Sequence, residues 1–189
     1  MVETGIQDYE FCRRCLAGAL DLLYSLRDDR LIPLTDIRHR CRQLAILRRQ
    51  RFEQLQKRFL PPLDHQDLWR LYTACEDIHS ATANALSELH RQRATHLSRE
   101  SCQSLLPIID ATEALQSALI SFPAHKRSTA TADHLLRCER CIRQADEASF
   151  RVTAGKSDVS LLRLQDALTE IGLAASRAGT LLHLLMLQY

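Results

Sequence analysis

Glycine and proline are both scarce, five of each in 189 residues. An all-β chain consumes both residue types in its many turns, so the scarcity excludes one. Aromatics make up only 5% of the chain, which leaves a core built mainly of aliphatic side chains. No apolar run approaches the roughly 20 residues that cross a bilayer; Leu181 to Leu187 is short and carries His183. The opening Met-Val-Glu-Thr-Gly-Ile-Gln-Asp-Tyr-Glu is acidic and lacks the apolar centre of a signal peptide. There is no glycine-rich phosphate loop, no His-Glu-x-x-His pair and no nucleophile elbow, so no catalytic residue is assigned and a non-enzyme is expected. Seven cysteines is an odd number and points to reduced thiols and a cytoplasmic location.

What is present is helix-forming. Leu, Ala, Arg and Gln dominate, and a chain of this length buries a real core, so an all-α bundle is expected. The clearest local signal is a hairpin. Pro61 and Pro62 end the helix before them, because proline lacks an amide hydrogen and its neighbour avoids the α region. Asp64 stands at the N-cap with Asp67 at N3, and Leu63 and Leu68 occupy the two positions of a hydrophobic staple. Leu68, Leu71, Cys75 and Ile78 then recur at helical spacing.

Breakers elsewhere divide the chain into six helices. The first runs from Asp8 to about Asp28, with Phe11, Cys15, Leu22 and Leu26 apolar, and Leu31-Ile32-Pro33 stops it. The second begins at Thr35 or Asp36 and reaches about Arg58; the third runs from His65 to about Arg93. Ser98 caps the fourth, in which Pro107 predicts a kink or local break, and which ends at Phe122-Pro123. Ser128 or Thr129 opens the fifth, Gly155 ends it, and Ser157 caps the sixth, with Leu161, Leu164, Leu168, Ile171 and Ala175 on one stripe. Lengths and breakers suggest two three-helix halves, about 1–97 and 98–189, packed antiparallel as one domain.

The hairpin residues Phe59, Pro62, Asp64, Asp67-Leu68, Leu71 and Glu76-Asp77-Ile78 resemble the PhoU-like phosphate-transport regulators, in the branch that accompanies Pit-type transporters. Ala145-Asp146-Glu147-Ala148 is a second, shorter match. The resemblance implies a cytoplasmic six-helix protein of two three-helix halves, carrying acidic clusters that hold metal. Measured against that pattern, the clusters are depleted. The second helix has no acid between Asp36 and Glu53; Glu76 and Asp77 remain on the third, but Ser80 follows one turn after Glu76. Asp146 and Glu147 remain on the fifth, where Ile142 replaces the acid expected a turn earlier; Asp166 and Glu170 are the last acids of the sixth. A complete oxygen-rich cluster would take a metal such as Fe or Mn, and zinc is the candidate for sulfur ligands; with so few ligands left, no metal and no cofactor is expected.

Basic residues are concentrated instead on the second helix, where eight Lys and Arg stand against two acids between residues 34 and 58, a net of +6 in a chain of net +2. Arg38, Arg40, Arg42, Arg48, Arg49 and Arg51 read either as a solvated face or as contacts for an anionic partner such as an acidic loop or lipid headgroups. A nucleic-acid binder using 34–58 has no helix-turn-helix or zinc-finger pattern behind it. Arg48 continues the seam of Leu34, Ile37, Cys41 and Leu44, and antiparallel pairing through Pro61-Pro62 brings Arg48 or Arg49 level with Glu76 and Asp77; an ion pair is expected there.

Cys12/Cys15 and Cys138/Cys141 form two C-x-x-C pairs inside amphipathic helices. They read as packing thiols, with zinc or redox chemistry as alternatives that lack the usual glycine knuckles or strand. Cys75 and His79 have one-turn ligand spacing, and His90 is a loose candidate for phosphotransfer. Together with the resemblance, these readings imply a regulator of inorganic phosphate transport that acts through protein contacts. Its partner would be a membrane phosphate transporter or an associated signalling protein, with no membrane insertion and no nucleic acid. Homo-oligomerisation is left open, and a helical adaptor no longer tied to phosphate is the alternative.

Overall fold

A computed structural model describes residues 2–30, 32–57, 64–92, 97, 99–122, 129–154 and 159–188. Among them the chain is helical throughout, with no strand: α1 Val2–Arg27, α2 Leu34–Gln56, α3 His65–Arg91, α4 Arg99–Ser121, α5 Thr129–Thr153 and α6 Val159–Gln188. The five breaks expected between successive helices each fall between two of these helices. The first helix begins six residues earlier than expected, at Val2, and α2 begins at Leu34, where the Pro33 carbonyl accepts from the amides of Asp36 and Ile37 at 3.0 and 3.1 Å.

Helix ends show why the chain turns where it does. At the end of α1 the Arg30 amide bonds back to the Ser25 carbonyl (2.9 Å), the 6→1 bond of a Schellman ending. Asp29 takes the left-handed position at φ 54, which its short side chain tolerates better than most. The Ser25 hydroxyl donates to the Arg30 carbonyl, and His90 Nε2 donates to the Ile32 carbonyl at 2.7 Å, fastening the α1–α2 turn to the end of α3. That bond gives His90 a structural task. Asp64 caps α3 as expected, accepting from the Gln66 amide at 2.6 Å. Pro61, Pro62 and Leu63 lie outside the described residues, as do Gly155 and Ser157; Leu68, the other half of the staple, is buried.

Pro107 does not break α4, which continues through it to Ser121. Leu105, Ile108, Ile109 and Ala111 around it are all buried, and that packing outweighs one lost backbone bond. Of the apolar stripes read on the third and sixth helices, Leu68, Leu71, Ile78, Leu164, Leu168 and Ile171 are buried. Leu161 is only half-buried, because it lies in the first turn of α6, before the stripe meets its partners.

Within each half the three helices pack on one another, and the halves join through α3 against α6 and α1 against α4. The Tyr24 hydroxyl crosses the second junction to donate to Glu113, and that bond raises its pKa to about 12. In the second half a buried amide does similar work: Gln165 Nε2 donates to Ser104 Oγ (2.9 Å) and Ser149 Oγ (2.7 Å), tying α6 to α4 and α5. One helix is different. α2 touches only α1 and α3, and is the least embedded of the six.

Candidate functional site at the α1–α2–α3 junction

α2 docks through a narrow seam. Ile37 and Leu44 are buried, and Leu34, Cys41 and Leu47 are partly so. The spacing 34, 37, 41, 44 is a 3.5-residue repeat, which keeps a thin stripe facing its neighbours and turns the rest of the helix outward. Arg48 is the next member of that stripe. Its guanidinium meets Glu76 of α3 at 2.5 Å and lies over the Trp69 ring at 5.6 Å, and Phe52 of α2 packs on the same ring with centroids 4.7 Å apart. The Glu76 side chain is 16% exposed and that of Arg48 38%, so the pair closes the seam at the edge of the core. Of the two candidate arginines, Arg48 makes the ion pair; Arg49 is turned outward and bonds Glu53 one turn away at 3.2 Å. Asp77 points elsewhere, into a groove between α3 and α6 walled by Trp69, Arg70, Ser176 and Arg177.

Beneath Arg48 lies a thiol cluster that spacing alone does not reveal. Cys12 and Cys15 of α1 are buried beside Cys75 of α3, with the Cys12 thiol in hydrogen-bonding contact with Cys75. Burial pushes the pKa of Cys12 and Cys15 well up, and the neighbouring thiol of Cys75 adds to it; Glu76 raises Cys15 further while Arg48 opposes it. Such thiols stay protonated and inert. Cys138 and Cys141 lie on α5, which does not touch α1, so the two C-x-x-C pairs do not meet; all seven cysteines are free thiols. The relevant signal was the α1–α3 register, which the C-x-x-C pattern does not encode.

The remaining acids do not converge. Asp146 and Glu147 are exposed on α5, with Glu147 beside Arg151 at 3.6 Å, and Asp166 and Glu170 are exposed on α6. Ile142, in the place of an acid, is buried. Among the described residues no three of His, Cys, Asp and Glu are grouped to hold a metal ion. The donor set therefore does not fit the metal clusters that the hairpin resemblance implies, since Glu76 is paired with an arginine, Asp77 lies apart in the α3–α6 groove, and Asp146, Glu147, Asp166 and Glu170 face solvent.

Two solved structures from Shewanella oneidensis MR-1 share this arrangement of helices over the whole chain. One, a PhoU-like protein, superposes with a TM-score of 0.70 at 14% identity, covering 100% of each chain. The other, described as a PhoU-like phosphate regulatory protein, gives 0.68 at 14% identity over 100% of this chain and 99% of its own. The fold is PhoU-like. No protein-family model matches the chain, and no curated protein is significantly similar to it in sequence.

On this PhoU-like frame the six arginines of α2 divide by direction. Arg48 is taken up by Glu76. Arg40 and Arg51 flank the seam, half-buried, Arg40 beside Asp21 at 3.5 Å and Arg51 on Gln54 at 3.1 Å. Arg38, Arg42 and Arg49 are exposed and, at spacings of four and seven, lie along one outward stripe with Ile46, which is 58% exposed. Among the described residues no helix is long and apolar enough to cross a membrane.

Proposed function

We propose that this PhoU-like protein is a non-enzymatic regulator of inorganic phosphate transport. It acts by docking its basic second helix on an acidic surface of a membrane phosphate transporter or an associated signalling protein, from the cytoplasmic side. One observation carries the reading: α2 is held by a thin seam and turns Arg38, Arg42 and Arg49 away from the bundle around an exposed Ile46. A cationic stripe with an apolar centre suits a carboxylate-rich partner, whose complementary charge would steer association and fix its register. Phosphate regulation is named for one structural neighbour and supports the choice of partner. The dispersed acids favour docking over metal-dependent sensing.

The test is charge reversal of Arg38, Arg42 and Arg49 to Glu, none of which touches the seam. Helix content should be unchanged, while phosphate uptake in cells carrying the variant should be misregulated and cross-linking to the transporter lost. Lost cross-linking to another protein with normal uptake would instead establish an adaptor, and unchanged behaviour in both assays would refute docking by α2.

A further inference from the structure

A pocket of about 290 Å³ opens between α1 and α2, beside the seam, with His79 of α3 as its floor. His79 is 1% exposed, yet only one of its ring nitrogens faces a polar atom, Nδ1 against Cys41 Sγ at 4.0 Å. Burial raises the Cys41 pKa, which keeps the thiol protonated beside Nδ1. Nε2, on the other side of the ring, has no hydrogen-bond partner among the described residues and is free to carry the ring proton toward the pocket. The residue opposite is glycine for a reason: a Cβ at Gly18 would stand 3.0 Å from His79 Cδ2 and 3.2 Å from Nε2. Without it, the ring edge is open to the pocket.

The other polar lining residues are Arg14, Arg40 and Gln43, with Leu44 and Leu47 as apolar walls and no carboxylate among them. Arg40 is close enough to His79 to help burial hold its imidazole neutral. Arg14 and Arg40 are engaged only at the rim, by Glu10 at 3.0 Å and Asp21 at 3.5 Å, exposed pairs of little strength that an anion could replace. Gln43 Nε2 lies 2.8 Å from His39 Nε2. Two arginines and the edge of an imidazole thus line one pocket that contains no carboxylate.

We propose that this pocket binds a small inorganic oxyanion of the phosphate type, with His79 Nε2–H and the Arg14 and Arg40 guanidiniums as donors. A multiply charged oxyanion seated against the open ring edge would offer Nε2–H and both arginines charge-assisted bonds at once. The inference does not rest on docking by α2, because Arg38, Arg42 and Arg49 do not line the pocket.

The test is titration with inorganic phosphate at constant ionic strength, chloride serving as the control anion, followed by the ¹⁵N resonances of the His79 ring. Saturable movement of Nε2 by phosphate and none by chloride is expected. Arg40→Gln and Arg14→Gln, both at the surface and tolerable to the fold, should each weaken binding by about tenfold or more. Gly18→Ala should abolish it by closing the floor, and a Gly18→Ala protein that fails to fold leaves the two arginine variants to decide. A His79 signal indifferent to phosphate, or an affinity unchanged by both arginine substitutions, would overturn the proposal.

Discussion

Arg48→Ala is the most informative single perturbation of this fold, because it removes the one cation in the α2 seam and leaves Glu76 at its edge. The cost is bounded on both sides. Stranding a fully buried carboxylate costs about 3–5 kcal/mol, whereas losing an exposed pair costs under about 1 kcal/mol. Glu76 is 16% exposed, which favours the upper limit, but Arg48 is 38% exposed, so water screens the pair and pulls the value down. The contact with Trp69 adds about 0.5–1 kcal/mol. An overall loss of about 2 kcal/mol follows, or about 4–8 °C in Tm for a chain of this size. Arg48→Met keeps the aliphatic stem and separates packing from charge. Urea denaturation of wild type, Arg48→Ala, Glu76→Ala and the double variant should give a coupling of about 1 kcal/mol, reduced in high salt. The same cycle with Asp77→Ala is the internal control and should show none, since Asp77 faces the α3–α6 groove. Coupling to Glu76 within about 0.3 kcal/mol of zero would refute the argument, for distant sites add that closely.

Three other outcomes are expected. In the folded state, thiol reagents should label the half-buried Cys41 and Cys102 first and leave Cys12, Cys15 and Cys75 unmodified until denaturant is added, as mass spectrometry of the labelled chain would show. His79 has its pKa lowered to about 4 from an ordinary 6.5, chiefly by burial. The unfolded chain therefore takes up a proton first as pH falls, and stability present at pH 7 should be lost between about 6.5 and 4, by about 3 kcal/mol in all. In phosphate-free buffer His79→Gln should flatten that part of the stability profile, and an unchanged slope would contradict it. Pro107→Ala should raise stability by about 1–3 kcal/mol, because it restores a backbone donor inside a continuous helix; no rise in the urea midpoint would mean that the ring's own packing compensates.

The local grammar of the chain was readable because helix ends are written in a few residues. Prolines, Asp64 and the apolar periodicities located six helices, and Phe11, Cys15, Leu22 and Leu26 are all buried as their spacing required. Local rules misled where packing outweighed them. Pro107 is carried inside α4 by buried neighbours, and Leu161 sits too near a helix start to be covered. The candidate site was half legible. Counting back from the Pro61-Pro62 turn placed an arginine level with Glu76, since antiparallel helices of equal rise keep register across a short connection. It could not choose between Arg48 and Arg49, which differ by about 100° around the helix and hence by whether they face α3 or water.

What the sequence determined by itself is the all-helical class, the number of helices and the places where they break, and the concentration of positive charge on the second. Those properties depend on neighbours within a few turns. The meeting of Cys12 and Cys15 with Cys75, the open edge of His79 over Gly18, and the dispersal of the remaining acids were decided only by tertiary structure. Each depends on the rotation of one helix against another, and that angle is set by the packing of the whole core, which no single stretch of the chain contains.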